Sequence, residues 1–199
     1  YDGIYNRWFL SAMFRKDYPA EVLDGLAPHM PEGWQADMDT IAAPVDWLGL
    51  NYYTCKRIAP APGPWPGLTE VEGPLPKTLM GWEIYPEGLE HFLRRTAADY
   101  TGDLPLYVTE NGMANADVLT GNRVEDEARQ AYIDAHLAAV RRAIAAGVPV
   151  KGYFLWSLLD NYEWSLGYEK RFGLIHVDFE TLARTPKASY HALARALAR

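Results

Sequence analysis

Helical and strand-like patterns of apolar residues alternate along most of this chain. Apolar residues that recur every three or four positions predict amphipathic helices, whereas short and nearly continuous apolar runs predict buried strands. We expect helices at 3–14, from about 17 to 28, at 86–100, from about 125 to 146, and from Pro186 onward. We expect strands at about 45–53, 104–110 and 150–156, with a short extended segment at 174–179.

The order of these elements is a helical start followed by strand–helix three times. This order is typical of an α/β fold with parallel strands and right-handed crossovers. Strands that are apolar on both sides need cover on both faces and neighbours at both edges. Three strands are too few to close such a sheet, and the sequence shows no internal repeat and no second domain. We therefore expect residues 1–199 to be a single incomplete domain of a larger structure.

The segment between the first strand and the helix at 86–100 is rich in proline and glycine. Residues 59–78 contain six prolines and three glycines. This composition predicts a long irregular loop, and loops of this length in compact domains are usually either functional or disordered.

Composition excludes several classes of function. The 199 residues are 49% hydrophobic and 23% charged, as in an ordinary globular domain. The net charge of −7 and the pI of about 5.2 argue against a nucleic-acid partner and an anionic membrane. No apolar stretch reaches the roughly 20 residues needed to cross a bilayer, so we expect no membrane contact and a cytoplasmic location. The single cysteine, Cys55, excludes an internal disulfide, and we expect a buried thiol.

Aromatic side chains are abundant, with seven Trp and thirteen Tyr. Such a content fits either a large core or a carbohydrate site, because the C–H faces of sugars pack on flat rings. Composition alone favours the core, and we assign Trp8, Phe9 and Phe14 to it. The five histidines share no metal-ligand spacing, so we expect neither a metal nor a cofactor.

The strand predicted at 104–110 ends in a carboxylate. In LPLYVTENGMA (104–114), the apolar run stops just before Glu110. Burying a carboxylate is unfavourable unless something pairs with it or uses it. The other two predicted strands end in Asn51 and Tyr53, and in Trp156 with the loop SLLDNYEW (157–164). Because chemistry collects at the carboxyl ends of parallel strands, the sequence predicts a site where these three ends converge.

Motifs along nearly the whole chain resemble those of glycoside hydrolase family 1, the β-glucosidase family. The matching stretches are RWFLSAMFRKDYP (7–19), DWLGLNYYT (46–54), GWEIYPEGL (81–89), LYVTENGMA (106–114), GYFLWSLLDNYEWSLGYEKRFGLIHVDF (152–179) and PKASYHAL (186–193). T-E-N-G after a strand, followed downstream by WSLLDNYEW, is highly specific as a pair. The resemblance implies the C-terminal portion of a (β/α)8 TIM barrel, with its last three strands and their helices. It also implies a retaining β-glycosidase that hydrolyses terminal non-reducing β-D-glycosyl residues of a β-glucoside or related β-glycoside.

The resemblance assigns roles to eight residues. Glu110 matches the catalytic nucleophile, and Tyr53 matches the tyrosine whose hydroxyl hydrogen-bonds that nucleophile. The chemistry is consistent, since a nucleophilic carboxylate must stay ionised and needs hydrogen-bond donors such as Tyr53. The positions that match substrate-binding residues are Asn51, Trp156 under the glycone ring, Glu163 and Trp164 at the sugar hydroxyls, and Trp82 and Phe172 on the leaving-group side.

The second carboxylate that a retaining glycosidase needs as acid/base is missing. In the family it lies in an Asn-Glu-Pro motif, and no Asn-Glu dipeptide occurs in this sequence. We therefore expect activity only together with the N-terminal part of the same barrel, as a separate chain or a cleaved product. The family's 6-phospho-glycosidase branch lacks the pair formed by Glu163 and Trp164, so the resemblance favours a neutral glycone without deciding which one.

Two other functions stay open, a non-catalytic carbohydrate-binding fragment and a structural or assembly fragment. Neither of them needs a nucleophile beside Tyr53. Glu110 could also cap a helix or pair with an arginine, and three of the aromatic residues could simply pack in the core: Trp82, Trp156 and Phe172. Three polar residues are expected to brace their loop and not to bind a ligand: Asp160, Asn161 and Arg171.

Overall fold

A parallel sheet of three strands with helices on one face organises the computed structural model of this protein, which describes residues 1–198. The strands in chain order are β1 (Leu48–Asn51), β2 (Arg57–Pro60), β3 (Leu68–Val71), β4 (Leu106–Asn111), β5 (Val150–Leu155), β6 (Ile175–Val177) and β7 (Arg184–Pro186). The α-helices are α1 (Trp8–Arg15), α2 (Ala20–Leu26), α3 (Met38–Ile41), α4 (Pro86–Thr96), α5 (Glu127–Ala145) and α6 (Ala188–Leu197). Short π-helical turns at Gly3–Arg7 and Ala97–Thr101 adjoin α1 and α4, and 3-10 turns lie at Ala27–His29, Trp34–Asp37 and Trp164–Leu166. Within these residues, no helix is both long and apolar enough to span a membrane.

The sheet has the order β1-β4-β5, and both pairs of strands run parallel. Leu50 lies opposite Val108, and Val108 lies opposite Tyr153 on its other side. The predicted parallel strands are therefore confirmed, although each strand is shorter than predicted. The register between β4 and β5 shifts between Val108 and Asn111. Such irregularities redirect side chains, and this one lies at the end of β4 that carries Glu110.

The core lies between the sheet and the helices α4 and α5. Leu89 and Leu93 of α4 lie one turn apart, so both face the sheet, and neither has exposed surface. Burial of this apolar surface is the main force that holds the helices on the strands. Val140 and Ala143 of α5 join the same core, so both helices pack on the same side of the sheet. The buried members of the core are Tyr52, Leu89, Leu93, Leu106, Val108, Val140, Ala143 and Val148.

The opposite face of the sheet carries exposed aromatic side chains. Trp47 is 53% exposed and Phe154 is 58% exposed. The ring of Trp47 contacts the ring of Tyr107 edge-on, with their centroids 5.4 Å apart. Gly152 lies on this same face, because a Cβ there would point at the rings of Tyr107 and Phe154. Parallel sheets are normally covered on both faces, so this is the face on which a further layer would pack.

The loop predicted at 59–78 is not irregular throughout. Strands β2 and β3 pair antiparallel as a hairpin, with Arg57 opposite Val71 and Pro60 opposite Leu68. All six prolines fall outside the paired positions or at their end, because a residue without an N–H can end a strand but not continue a ladder. The prediction of an irregular loop was wrong, because the many prolines obscured the apolar pattern of two four-residue strands.

The C-terminal part also differs from the predicted elements. The extended segment at 174–179 contains β6, which pairs antiparallel with β7, a strand that the sequence pattern did not reveal. Pro186 ends β7 and does not open the last helix, because α6 begins two residues later, at Ala188. Phe9, assigned to the core, is 60% exposed in this chain.

Candidate active site

Glu110 and Tyr53 meet at the carboxyl end of the sheet. β1 and β4 are parallel neighbours, and the N–H of Tyr52 donates to the carbonyl of Glu110 at 2.9 Å. This pairing brings the next side chain, Tyr53, over the end of β4. The hydroxyl of Tyr53 donates to Oε2 of Glu110 at 2.7 Å. Burial and this hydrogen bond raise the pKa of Tyr53, so the phenol stays protonated and acts as a donor to the carboxylate.

Asn111, which the sequence did not single out, fixes the end of β4. Its side chain is fully buried, and its Nδ2 donates to the carbonyl of Tyr52 at 2.6 Å and to the hydroxyl of Tyr132 at 3.0 Å. Its Oδ1 accepts from the hydroxyl of Tyr153 at 2.6 Å. The amide therefore links all three strands and α5 directly behind Glu110. Its place at the end of an apolar run is visible in the sequence, but the tyrosines that satisfy its amide come from distant segments.

Close contact between β4 and β5 continues past the strand ends. The N–H of Trp156 donates to the carbonyl of Asn111 at 2.9 Å. A Cβ on Gly112 would lie 1.8 Å from the carbonyl oxygen of Trp156, so only glycine fits at this position. Trp156 is half-buried and is joined to Ser157 by a cis peptide bond. The backbone of the predicted glycone platform thus lies one strand away from Glu110.

The rings of Trp82 and Phe172 pack near the ring of Tyr53, and we call this pair the aromatic wall. The centroid of Trp82 lies 5.5 Å from that of Tyr53, and the centroid of Phe172 lies 6.2 Å from it. The rings of Trp82 and Phe172 are 6.3 Å apart, and Phe172 is almost fully buried. The two residues predicted for the leaving-group side therefore share one cluster with the tyrosine that holds Glu110.

Glu163 and Trp164 lie on the loop that follows β5. Burial, followed by the charge of Glu110, raises the pKa of Glu163. Trp164 begins the 3-10 turn with φ of +42° and is 82% exposed. Asn51 is also exposed, and its Oδ1 accepts from the hydroxyl of Thr109 at 2.7 Å. The side chains of Trp164 and Asn51 are therefore both open to solvent.

A cavity of about 360 Å³ opens on the far side of Trp82, between the β2–β3 hairpin and residues 77–83. Its floor holds Glu83, which accepts from the Cys55 thiol at 3.3 Å and from Arg57 at 3.0 Å. Burial and the hydrogen bond to Glu83 raise the pKa of Cys55. The thiol is only half-buried, which is less than predicted, and its raised pKa makes it a weak nucleophile.

The three polar residues predicted to brace their loop do so. Arg171 donates to Oδ2 of Asp160 at 2.7 Å, and Asn161 donates to the hydroxyl of Ser157 at 3.0 Å. Among residues 1–198, no cluster of three or more His, Cys, Asp or Glu side chains is placed to hold a metal ion.

The arrangement combines a carboxylate held by a phenol, a second carboxylate that interacts with its charge, and a wall of aromatic rings. Such a set can bind the hydroxyls and the C–H face of a sugar while one carboxylate attacks a nearby carbon. The family model of "Glycosyl hydrolase family 1" matches residues 1–196. The chain belongs to glycosyl hydrolase family 1. The recognition made from the motifs is confirmed.

The family relatives are about twice as long as this chain or longer. Beta-glucosidase A of Thermotoga maritima is 44% identical over 182 residues, which are 91% of this chain and 41% of the relative. A 6-phospho-beta-galactosidase of Streptococcus equi subsp. zooepidemicus is 35% identical, over 94% of this chain and 46% of the relative. The solved β-glucosidase of Thermotoga maritima in complex with castanospermine matches with a TM-score of 0.91 and 42% identity, over 96% of this chain and 43% of that one. The α/β class is confirmed, and the match to these TIM-barrel enzymes covers part of a barrel.

Proposed function

We propose that this chain carries the nucleophile half of a retaining β-glycosidase that hydrolyses terminal non-reducing β-D-glycosyl residues. The observation that carries the proposal is the 2.7 Å hydrogen bond from Tyr53 to Glu110 at the end of a parallel strand. Neither a sugar-binding fragment nor an assembly fragment accounts for a carboxylate oriented by a phenol beside an aromatic wall. Location in the cytoplasm stays a prediction.

Glu110 is the proposed nucleophile. Its free oxygen attacks the anomeric carbon while the bond from that carbon to the leaving oxygen breaks, and the leaving oxygen takes a proton from an acid/base carboxyl. A water molecule, deprotonated by the same acid/base group, then attacks the anomeric carbon and releases Glu110 as a carboxylate. Tyr53 holds Glu110 in one orientation during both steps.

The acid/base group and the rest of the barrel are proposed to come from an N-terminal part, as a separate chain or a cleaved product. In this proposal β1, β4 and β5 are the last three strands of a (β/α)8 barrel. Two features support it. The face with Trp47 and Phe154 exposes aromatic surface that a further layer would cover, and β1 and β5 form the two outer strands of the sheet. A second carboxylate about 5–5.5 Å from Glu110 is the geometry that a retaining mechanism requires.

The glycone is proposed to be neutral. Family membership does not decide this, because relatives named for neutral and for phosphorylated substrates both match the chain. Glu163 and Glu110 are two carboxylates whose charges interact, since burial and then the charge of Glu110 raise the pKa of Glu163. A phosphate dianion would be repelled there, whereas sugar hydroxyls can donate to both. Five further residues are proposed to bind substrate: Asn51, Trp156 and Trp164 at the glycone, and Trp82 and Phe172 at the leaving group.

The proposal is tested with Glu110→Ala in the full-length protein that contains this chain. Hydrolysis of an aryl β-glucoside should fall by about 10³-fold or more, because the variant lacks the nucleophile. Added azide should restore turnover and give the α-glycosyl azide, since the anion attacks from the side that Glu110 occupied. Glu163→Ala is the matched control, because it removes a carboxylate from the same site but should not respond to azide.

Three outcomes would count against the proposal. A loss of only a few-fold in Glu110→Ala would show that no covalent step depends on this carboxylate. A β-glycosyl azide would place Glu110 on the β face of the sugar, as the acid/base group, and would assign the nucleophile to another residue. Binding of glucosides by the full-length wild type without any turnover would favour the non-catalytic carbohydrate-binding alternative.

A further inference from the structure

Six charged side chains form a connected network behind the site, none of which the proposed chemistry uses. Five of them are at most 1% exposed, and the sixth, Arg171, is 21% exposed. Three are acidic and three are basic, so the network is neutral as a whole. Buried charges are tolerated only when they are paired and hydrogen-bonded, and removing one partner is strongly destabilising. The members are Asp117, Asp126, Arg129, Asp160, Arg171 and Lys187.

Lys187 lies at the centre of this network. It is the residue that precedes α6, and its side chain has no exposed surface. Its Nζ lies 2.5 Å from Oδ2 of Asp117 and 2.7 Å from Oδ1 of Asp160. Burial and the charge of Arg129 lower the pKa of Lys187, but the two carboxylates in direct contact compensate its charge. The C-terminal segment therefore places one cation between two carboxylates of distant segments.

Asp160 closes the loop formed by residues 160–173 at its base. Its Oδ2 accepts from Arg171 at 2.7 Å, and its Oδ1 accepts from the N–H of Gly173 at 2.9 Å and from Lys187 at 2.7 Å. The start and the end of the loop are thus held by one carboxylate. Glu163 follows Asp160 by three residues, so its position depends on this closure.

Asp117 connects the network to the segment that follows the nucleophile strand. Both terminal nitrogens of Arg129 donate to it, at 3.0 and 2.7 Å. Arg129 also donates to the carbonyl of Arg171 at 2.8 Å, one residue before Phe172. Phe172 packs on the Tyr53 ring with 6.2 Å between centroids. The network therefore holds the loop at the same place where the loop contacts the site.

We propose that Lys187 and Asp160 are positioning residues whose buried ion pair holds the loop at 160–173 with Glu163 directed at the substrate. The proposal rests on the proposed function, since it assigns to the loop the binding of the glycone. Without the ammonium group, the network keeps three carboxylates and only two cations, so Asp117 and Asp160 repel although Arg129 and Arg171 still pair with them. The base of the loop then opens, and Glu163 moves with it although no residue of the site has been changed.

A double-mutant cycle in the full-length protein separates positioning from general stability. The variants are Lys187→Met, Glu163→Gln and the double variant, assayed for kcat/KM on an aryl β-glucoside below the unfolding temperature of each. In the wild-type background, Lys187→Met should lower kcat/KM about tenfold or more, mainly by raising KM. In the Glu163→Gln background, the same substitution should lower kcat/KM less than about threefold. The matched control is Lys16→Met, which breaks an exposed 2.8 Å ion pair with Asp39 and should change kcat/KM less than about twofold.

Amide hydrogen exchange gives a readout that does not depend on activity. In the loop, the N–H groups of Glu163, Leu166 and Gly167 are bonded within the loop itself. Their exchange should become at least about tenfold faster in Lys187→Met and should stay unchanged in Lys16→Met. If the wild type hydrolyses no β-glycoside, the proposed function fails. The exchange result alone then decides whether the ion pair of Lys187 and Asp160 holds the loop.

Two results would overturn the positioning role. One is an equal loss of kcat/KM from Lys187→Met in both backgrounds of the cycle, which would indicate a structural role only. The other is unchanged exchange in the loop of the folded variant. Where Lys187→Met does not fold, Asp160→Asn takes its place in both experiments, because it keeps the side-chain shape and removes the charge that Lys187 and Arg171 need.

Discussion

Replacing Tyr53 by phenylalanine removes one hydroxyl from the candidate site and leaves the aromatic wall in place. That hydroxyl donates to Oε2 of Glu110 at 2.7 Å. In the proposed glycosyl-enzyme the acceptor is a neutral ester oxygen, and it becomes a carboxylate again when the sugar is released. The hydrogen bond therefore strengthens during the second step, the release of Glu110, and weakens during the first.

The magnitude follows from the change in the acceptor. A hydrogen bond to a charged group contributes about 1.5–3 kcal/mol, and one between neutral groups about 0.5–1.5 kcal/mol. The difference of about 1–1.5 kcal/mol is the stabilisation that Tyr53 adds during sugar release, or about 5- to 13-fold in rate. We expect Tyr53→Phe to slow release by about this factor and not to slow the first step.

Rapid mixing of the full-length Tyr53→Phe variant with an aryl β-glucoside that has a good leaving group measures both steps. We expect a burst of released phenol equal to the enzyme concentration, followed by a slow steady state. Tyr52→Phe is the matched control, because the Tyr52 hydroxyl donates to the carbonyl of Tyr85 at 2.6 Å and not to Glu110. It should lose stability but show no new burst. A variant that slows the first step as much as the second, without a burst, would refute the reasoning.

Two further predictions concern the packing behind the site. Gly112→Ala places a Cβ 1.8 Å from the carbonyl oxygen of Trp156, so the ends of β4 and β5 must separate. We expect a lower melting temperature and about a tenfold or greater loss of kcat/KM. An unchanged melting temperature would contradict this prediction. Burial lowers the pKa of His136 from 6.5 to about 4. Between these two pH values the imidazole is protonated in the unfolded chain but neutral in the folded chain. The folded state therefore loses stability as the pH falls from 6.5 to 4. The free energy of unfolding of His136→Phe relative to the wild type should therefore rise by about 3 kcal/mol between pH 7 and pH 4 in urea titrations, and a difference that is constant with pH would rule this out.

The strands and their polar ends could be predicted because their signal is local. The run that ends at Glu110 is apolar and short, and the carboxylate stands where a parallel strand must stop. The same holds for Tyr53, whose position is fixed by the pairing of its strand with β4. Such residues can be predicted from the sequence because one strand and its immediate neighbour determine where they lie.

The rest could not be predicted because its signal is distant in sequence. A lysine before a helix is typical of the surface, yet Lys187 is buried because Asp117, 70 residues away, pairs with it. The hairpin of β2 and β3 was missed for a related reason, since its register depends on cross-strand pairs while its loop is dominated by proline and glycine. Asn111 is a third case, because the tyrosines that satisfy its amide come from β5, α5 and the segment after β1.

The contacts that support Glu110 in this structure come from this chain itself, which bears on how the proposed enzyme is divided. Tyr53 orients the carboxylate, and Asn111 fixes the end of its strand through the buried hydroxyls of Tyr132 and Tyr153. None of these contacts needs the face of the sheet that is exposed. The nucleophile is therefore held before any further layer covers that face, whereas the proton donor must arrive with the layer. Binding of a glycone and chemistry on it consequently depend on different parts of the barrel, and a variant that weakens their association should lose turnover before it loses the orientation of Glu110.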